Sequence, residues 1–527
     1  MDDAGTRPLT IADLLETMAD AVGDRAFVKT MAGDLTYAEV DARANRFANH
    51  LLTVGVQPGE HVAIHAHNCI EWVDAFFGTL KIRAVPVNVN YKYLTEELVH
   101  LYDDSDCVVC VVGPEYESLA RSAMGDKVRH VLVIGDEYDA AMAAASPERP
   151  DVQRTVDDRY IIYTGGTTGS PKGVVWRNED IVRAALNAAR YGAPIETVEK
   201  LGEEAAANEN PMCLMACGPL MHGGSQWIMG NALTAGQSIA LFTEPHFDAE
   251  RVLDLTEKAR VVSLAMLGDA MARPLAETVM ANPDRWDLSS LMALSNGAAP
   301  LSRGVREELV QAFPGRFILD NYGASESGAT GSHLDDGSGD GRARFGVWAE
   351  VEVFDTDWKP AAVGEPGMLA RSGAIPLGYY KDEARTARTF HEIDGVRWVV
   401  PGDAAVREEY GTVLVLGRGS VVINSGGEKI HPEEVEGVLL RHPDVFDAAV
   451  VGTPHERWGQ QVTAVVQKRE GSDLTAEQVI EHVHGLLANY KAPKDVVFVD
   501  AVPRTAVSKV DYRAATALAT ESVAATS

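Results

Sequence analysis

Residues 163–173 read YTGGTTGSPKG, between the short apolar runs 160–163 (YIIY) and 174–176 (VVW). Glycines let backbone N–H groups converge on a polyanion, Thr and Ser hydroxyls add donors, and Lys172 supplies a positive charge. A strand that leads into such a turn predicts a phosphate-binding loop.

The residues next to Lys172 exclude the P-loop NTPase motif, which has Gly directly before the Lys and Ser or Thr after it. Here Pro171 precedes Lys172 and Gly173 follows it. A Gly-rich loop alone is equally compatible with an ordinary surface turn, so its meaning depends on the rest of the chain.

The length and composition indicate a multidomain globular enzyme. At roughly 100–200 residues per domain, 527 residues predict three or four structural units. The formal net charge of −30 disfavours nucleic acid and anionic membranes as partners, and it requires that any ATP site be locally positive. No run of about 18 apolar residues predicts a membrane span, and the acidic start lacks a secretory signal.

The five cysteines fit a reduced, cytoplasmic protein. Cys107 and Cys110 have the spacing of a metal or redox pair, but they lie in the apolar run CVVCVV. In a regular strand they would point to opposite faces, and no second pair follows. We therefore predict buried strand cysteines.

Strand and helix patterns alternate from the N-terminus to the phosphate loop, which predicts parallel sheet covered by helices. Residues 196–210 (ETVEKLGEEAAANEN) and 334–344 (LDDGSGDGRAR) read as long loops. The final stretch from about residue 514 has few large apolar side chains and is expected to be frayed.

Five further stretches follow the loop in a fixed order, and together they resemble the adenylate-forming superfamily. This group contains acyl- and aryl-CoA synthetases, peptide-synthetase adenylation domains and beetle luciferases. The stretches are 219–227 (PLMHGGSQW), 295–302 (SNGAAPLS), 320–326 (DNYGASE), 401–403 (PGD) and 423–436 (INSGGEKIHPEEVE), and 503–509 (PRTAVSK) follows the last. Each stretch alone could have an ordinary structural role, but the order of all of them over residues 163–509 supports the resemblance.

The resemblance implies an α/β fold with two domains. The large domain, residues 1–417, would combine parallel-sheet α/β subdomains with a small β-barrel-like part. A hinge at 418–420 would lead to a small, mobile α+β domain at 421–527, with the active site at the interface.

The resemblance also implies the site residues. Catalysis would involve Lys509, Thr168, Glu326 and Lys172, with Glu326 binding Mg²⁺. Tyr322 would pack beside adenine, Ser325 would meet phosphates, Asp403 would bond the ribose hydroxyls and Arg418 would reach ribose or phosphate. The expected ATP/AMP ligands are Thr164, Gly165, Gly166, Thr167, Thr168, Gly169, Lys172, Gly297, Ala298, Ala299, Asp320, Asn321, Tyr322, Gly323, Ala324, Ser325, Asp403, Arg418 and Lys509. The acid would meet His222, Gly223, Gly224 and Trp227, and CoA would pass Ser425, Gly426 and Gly427.

The implied reaction has two steps. A carboxylate attacks the α-phosphorus of ATP to give acyl-AMP and pyrophosphate, and the thiol of CoA then displaces AMP. Because two anions must meet, positive charge and alignment supply most of the catalysis. Between the steps the small domain would rotate about the hinge.

The chain departs from the family pattern at Ser420, Val421 and Ser508, where relatives usually carry Lys or Asp, an acid, and Gly. This leaves open an adenylation-only enzyme whose acyl-AMP passes to a partner ligase. Similar Gly-Arg-Gly-Ser hinges in actinobacterial acyl-CoA synthetases for sterol-type acids favour the full reaction. A non-catalytic nucleotide-binding module and a luciferase-like oxygenase are the alternatives of another class.

The substrate prediction depends on the stretch around His222. Peptide-synthetase domains place an Asp there to pair an amino group, so an α-amino acid is disfavoured. Gly223 and Gly224 keep one wall small, and Trp227, Met229 and Met266 are apolar neighbours. We expect a bulky alicyclic acid, of sterol or terpenoid type, ahead of a linear fatty acid.

Overall fold

The computed structural model describes residues 7–165, 171–190, 193–297, 301, 303–335, 344–348, 350–418, 423–430, 432–503 and 511–526. Within them the predicted mixed α/β fold is confirmed, with a large N-terminal domain and a small C-terminal domain. The helices are α1 Ile11–Val22, α2 Tyr37–Thr53, α3 Ile70–Lys81, α4 Thr95–Asp104, α5 Glu117–Ala123, α6 Asp136–Ala144, α7 Asn178–Ala185, α8 Val198–Ala207, α9 Gly223–Thr234, α10 Ala249–Ala259, α11 Asp269–Ala281, α12 Arg303–Ala312, α13 Glu383–Thr389, α14 Pro432–Leu439, α15 Ala476–His484 and α16 Tyr512–Thr526.

The strands alternate with these helices through most of the large domain. They are β1 Ala26–Lys29, β2 Asp34–Thr36, β3 His61–His65, β4 Val85–Asn88, β5 Cys107–Val112, β6 His130–Val133, β7 Arg159–Thr164, β8 Lys172–Arg177, β9 Cys213–Ala216, β10 Ser238–Leu241, β11 Ser263–Met266, β12 Ala293–Asn296, β13 Phe317–Ala324, β14 Gly328–Asp335, β15 Arg344–Val347, β16 Val351–Phe354, β17 Pro366–Arg371, β18 Gly378–Tyr379, β19 Phe390–Ile393, β20 Val396–Val399, β21 Asp403–Arg407, β22 Thr412–Arg418, β23 Ile423–Ser425, β24 Glu428–Ile430, β25 Val445–His455, β26 Gly459–Lys468 and β27 Asp495–Val499.

Two sheets with parallel strands at their cores form most of the large domain. One is entirely parallel, in the order β4-β3-β5-β6. The other has a parallel core, β1-β10-β9-β11-β12-β13, and continues through antiparallel strands as far as β22 and beyond. Residues 419 and 420 of the predicted hinge lie outside the described residues. The carboxyl ends of parallel strands are where open α/β sheets place their ligands.

A short antiparallel sheet, β18-β8-β7, carries the Gly-rich loop. The small domain has its own sheet, β24-β23-β26-β25, with β27 parallel to β26 and α14 and α15 packed around it. Both domains therefore have their own apolar core, as independent folding units require.

The stretch predicted as an acidic loop at 196–210 contains helix α8, so that prediction is wrong. The side chain of Thr197 caps the helix by accepting a hydrogen bond from the backbone N–H of Lys200. Gly202 lets the helix approach α1 closely, because a Cβ there would lie 2.9 Å from Cγ2 of Thr17. The other predicted loop, at 334–344, falls largely outside the described residues.

The expected frayed tail is also wrong, since residues 512–526 form helix α16. Ala515 and Ala519 are fully buried and lie one helical turn apart, against Val451 and Val465 of the small-domain sheet. Small side chains bury little area each, but they let a helix lie close to a sheet.

Cys107 and Cys110 are buried free thiols, as predicted, and all five cysteines are free. A β-bulge after Cys107 shifts the register, so the two thiols share one core cluster rather than facing opposite sides. Burial raises the pKa of the Cys110 thiol to about 12, and that of Cys107 as well. Within the described residues, no group of three His, Cys, Asp or Glu could hold a metal ion by itself.

None of the helices in the described part of the chain is both long enough and apolar enough to cross a membrane.

Candidate active site

Lys172 stands where the Gly-rich loop ends, at the first position of β8. The hairpin register pairs Thr164 with Lys172 and Tyr163 with Gly173. Asn88 fixes this register from the neighbouring sheet, because its side chain donates to the Tyr163 carbonyl and accepts from the Tyr163 N–H, both at 2.8 Å. The loop is therefore anchored at both ends on rigid strands.

Glu326 lies in the tight turn between β13 and β14. Trp176 of β8 donates its indole N–H to the carbonyl of Ser325 at 3.0 Å. Arg371 donates to the carbonyls of Ser327 and Ala329, each at 2.5 Å. Burial lowers the pKa of the Arg371 guanidinium to about 10, which still leaves this group protonated at neutral pH.

Lys172 and Glu326, 154 residues apart in sequence, form a partly buried ion pair with a Nζ–Oε1 distance of 2.8 Å. Tyr379 completes the cluster: its hydroxyl donates to the same Oε1 at 2.9 Å and lies 3.3 Å from Nζ of Lys172. The ammonium also lies 4.5 Å from the centroid of the Tyr379 ring. Burial, and then the Glu326 charge, raises the pKa of Tyr379, so the phenol stays protonated and can donate.

Two of the predicted nucleotide residues contact each other. The Tyr322 hydroxyl donates to Oδ2 of Asp403 at 2.8 Å. Asp403 opens β21, and its backbone pairs with that of Arg418, the last residue of β22. The structure therefore brings the predicted adenine and ribose residues to one place.

The side chain of Asp320 is occupied within the protein. Its carboxylate accepts from Asn296 at 2.9 Å and from Arg306 at 2.6 Å, and it is 5% exposed. Asn321 donates to the Ser295 hydroxyl at 2.7 Å, which ties β13 to β12. Any contact of Asp320 with nucleotide would therefore go through its backbone rather than its carboxylate.

His222 occupies the N-cap position of α9, the helix that contains Gly223, Gly224 and Trp227. A Cβ at Gly223 would touch Ile162 and Trp227 at 3.6 Å, whereas a Cβ at Gly224 would meet nothing within 4 Å. Open space therefore borders the first turn of this helix, next to His222.

The small-domain hairpin of β23 and β24 packs against this same region. Its turn contains Gly426 and Gly427, with φ of +59° and +86°, and a Cβ at Gly427 would lie 3.0 Å from Cβ of Leu267. Glycine is required at both positions, for backbone conformation and for close approach. The predicted CoA region therefore lies beside the predicted acid-binding residues.

Glu428 anchors the hairpin between two basic groups of the large domain. Its carboxylate lies 2.5 Å from Nζ of Lys92 and 3.7 Å from Nε2 of His222. Burial by itself would raise the pKa of Glu428, but the charges and hydrogen bonds of His222 and Lys92 outweigh it and hold the pKa well below its ordinary value. Glu428 is therefore an ionised, buried contact across the domain boundary.

Several predicted site residues lie outside the described residues, and their roles stay predictions. For Arg418 the structure describes the backbone only. The residues outside are Gly166, Thr167, Thr168, Gly169, Ala298, Ala299 and Lys509.

Sequence reasoning missed Tyr379, Lys92, Glu428 and Arg371 as members of the site. Glu428 stood in a recognised stretch, next to the glycines assigned to CoA, but was given no role. Tyr379 follows Gly378 in an unremarked GYY sequence, where no local signal marks a distant partner.

Comparisons with known proteins identify the family of this chain. A sequence model described as AMP-binding enzyme matches residues 15–380, and one described as AMP-binding enzyme C-terminal domain matches residues 434–509. A 3-oxocholest-4-en-26-oate–CoA ligase of Rhodococcus rhodochrous is 40% identical over 530 residues, covering 96% of this chain and 95% of the relative. A medium/long-chain-fatty-acid–CoA/3-oxocholest-4-en-26-oate–CoA ligase of Mycobacterium tuberculosis is 43% identical over 526 residues, with coverage of 96% and 95%.

Solved structures share the fold. The amide bond synthetase McbA of Marinactinospora thermotolerans superposes with a TM-score of 0.81 at 23% identity, covering 96% of this chain and 99% of that one. The o-succinylbenzoate CoA synthetase MenE of Bacillus subtilis gives 0.80 at 24% identity, with coverage of 95% and 97%. At these identities the likeness concerns the fold alone.

Proposed function

Since this chain belongs to the family of AMP-binding enzymes, we propose that it joins a bulky alicyclic carboxylic acid, of steroid type, to CoA. The enzyme is an AMP-forming acid–thiol ligase, an acyl-CoA synthetase that uses ATP and CoA.

The observation that carries the proposed mechanism is the cluster of Lys172, Glu326 and Tyr379. In a chain with a net charge of −30, the partly buried Lys172 ammonium places a positive charge at the end of the Gly-rich loop. It would move from Glu326 to the β- and γ-phosphates of ATP, and so stabilise the pyrophosphate leaving group. Lys509 would offset charge where the carboxylate meets the α-phosphate.

Glu326 fits the role of magnesium ligand. Glu326 is 5% exposed, and Lys172 neutralises its carboxylate. The phosphates of ATP would attract the Lys172 ammonium away from this carboxylate and leave it available to a metal ion. Magnesium is commonly held by one or two carboxylates together with substrate phosphates, so one well-placed carboxylate suffices. When bound, the ion would supply charge neutralisation at the phosphates.

Retention of the thioester step is supported by the hairpin at 423–430. It brings Gly426 and Gly427 next to His222, where a thiol would have to approach an acyl group. Glu428 holds it there through Lys92 and His222. This favours the full synthetase over an adenylation-only enzyme with a partner ligase, despite Ser420, Val421 and Ser508.

Two relatives and the open space beside α9 both favour a steroid-type acid as substrate. Two relatives, at 40% and 43% identity, bear names that include 3-oxocholest-4-en-26-oate, a steroid acid. A Cβ at Gly224 would meet nothing within 4 Å, so open space lies beside this residue. A wide ring system needs such space. Because one relative's name also includes medium- and long-chain fatty acids, a linear acid is the second candidate.

The experiment that tests the proposal is product analysis by mass spectrometry. The full chain is incubated with MgATP and either a steroid carboxylic acid, a shorter alicyclic acid or straight-chain acids, with and without CoA. Steroid acyl-CoA that forms only with CoA supports the proposal. Acyl-AMP that accumulates in both samples would identify an adenylation-only enzyme, and turnover of straight chains alone would reject the steroid substrate. The Lys172→Met variant serves as the control for background.

A further inference from the structure

Tyr379 is the uncharged residue of the Lys172–Glu326–Tyr379 cluster. The residue is buried, and its hydroxyl meets both charged groups, at 2.9 Å and 3.3 Å. Lys172 and Glu326 already neutralise each other's charge through their direct contact. The phenol adds an uncharged hydrogen-bonding group that reaches both of them.

The position of Tyr379 is fixed by the same strand that holds Lys172. β18 pairs with β8 in a register that sets Tyr379 opposite Val174, two residues from Lys172. The Tyr379 N–H donates to the Thr386 hydroxyl at 2.9 Å, and a Cβ at Gly378 would lie 2.6 Å from Cγ2 of Thr386. A ring held by a strand and by the middle of a helix is a rigid support for mobile charged side chains.

Nucleotide binding would have to separate Lys172 from Glu326, because phosphates attract the ammonium and a magnesium ion attracts the carboxylate. Breaking a buried ion pair leaves each charge poorly compensated. The Tyr379 hydroxyl can keep donating to Oε1 of Glu326 after the ammonium has left. The face of its ring gives the ammonium a second electrostatic contact.

We propose that Tyr379 is a positioning residue for the adenylation step, which keeps the Glu326 carboxylate oriented for MgATP through its hydrogen bond while Lys172 transfers to the phosphates. This inference depends on the proposed function, because it names the residue that prepares the same nucleotide site. The hydroxyl acts through Glu326 and Lys172, and it forms no bond with the reacting atoms.

The test compares Tyr379→Phe with Tyr380→Phe. The first removes the hydroxyl and keeps the ring. The second makes the same change at the next residue, whose hydroxyl donates to Asp106 at 2.9 Å, away from the cluster. ATP binding is measured by calorimetric titration with and without Mg²⁺. Acyl-AMP formation, and acyl-CoA formation from supplied acyl-AMP and CoA, are measured separately.

Mg²⁺ increases the affinity for ATP, and we expect this increase to be about tenfold smaller in Tyr379→Phe than in the wild type. The variant lacks one hydrogen bond to a charged group, which accounts for an effect of this size. Acyl-AMP formation should slow by a similar factor, whereas acyl-CoA formation from supplied acyl-AMP should not change. Tyr380→Phe should match the wild type in every assay.

Two outcomes would overturn the inference: unchanged magnesium dependence in Tyr379→Phe, or an equal fall in both half-reactions, which a purely structural role would produce. The proposed function fails separately, if the wild type makes no acyl-AMP from any acid. The ATP and Mg²⁺ titrations would still decide the role of Tyr379 in that case.

Discussion

Lys491 of the small domain and Glu97 of the large domain form a buried ion pair with a Nζ–Oε1 distance of 2.5 Å. The same ammonium lies 2.5 Å from Glu434 of its own domain, and all three side chains are under 8% exposed. Glu97 also accepts the backbone N–H of Ala488 at 3.2 Å. One carboxylate of the large domain thus binds the small domain through both a charge and a backbone donor.

We expect Glu97→Gln to weaken the docking of the two domains by about 2–3 kcal/mol, since it leaves a buried ammonium with one carboxylate instead of two. The matched control is Glu96→Gln on the same helix. Glu96 also faces the small domain, through Arg441 at 3.6 Å, but that pair is over 60% exposed. Exposed pairs contribute about 0–1 kcal/mol.

The measurement is the first thermal unfolding transition of the full chain, together with the rate of limited proteolysis between the domains. A clear downward shift for Glu97→Gln and almost none for Glu96→Gln is the expected result. Equal behaviour of the two variants would show that burial of the pair is irrelevant to docking.

Docking should also depend on pH through Glu434. Burial, with the nearby Glu97 charge, raises the pKa of Glu434 from 4.5 to about 7 despite the opposing charge of Lys491. The folded and docked chain therefore binds this proton more tightly than the unfolded chain does. The stabilisation that the protonated Glu434 carboxyl contributes is fully present below about pH 4.5 and is lost as the pH rises to about 7.

We expect Glu434→Gln to flatten this part of the stability curve. The first unfolding transition is followed from pH 5 to 8 in the wild type, in Glu434→Gln and in Glu456→Gln, a change at an exposed position of the same domain. A wild-type slope that survives in Glu434→Gln would assign the titration to another group.

Short stretches of sequence predicted Lys172, Glu326, Tyr322 and Asp403 as site residues, because their residue types suit phosphate, metal and ribose. The contacts among them were not predicted, since Lys172 and Glu326 are 154 residues apart and Tyr322 and Asp403 are 81 apart. Packing between two sheets brings the first two stretches together, because Trp176 of β8 donates its indole N–H to the Ser325 carbonyl in the β13–β14 turn.

Contacts between distant stretches could not be predicted in the same way. Lys92 and Glu428 are 336 residues apart, and their pairing depends on how one folded domain docks on another. No local pattern encodes that geometry. Helix α8 was a different failure: Val198, Leu201 and Ala205 already had helical spacing, and the surrounding charges and small residues obscured it.

We expect Glu428→Gln to impair the second half-reaction selectively. The neutral amide keeps the size of the side chain but loses its charge interactions with Lys92 and His222, so the hairpin should leave His222 more often. Acyl-CoA formation from supplied acyl-AMP should fall about tenfold, while acyl-AMP formation stays within about twofold of the wild type.

Glu456→Gln again provides the control, because it removes an exposed charge of the same domain. Single-turnover assays of each half-reaction give the comparison. A parallel loss in both half-reactions would indicate general destabilisation, and no loss in either would mean that the hairpin contact is dispensable.

Gly224→Leu should change which acids the enzyme accepts. A Cβ at Gly224 meets nothing within 4 Å, so the variant should fold, and its side chain would occupy the space beside His222 that we assign to the acid. Occupying that space should lower kcat/KM for a steroid acid at least tenfold and leave a short straight-chain acid within about threefold. Gly437→Leu, on helix α14 of the small domain, makes the same change where a Cβ is also unobstructed and should alter neither. If Gly224→Leu lowers both acids equally, with an unchanged thermal midpoint, the space at Gly224 does not select the substrate, and the ring system must be accommodated along another wall of the site.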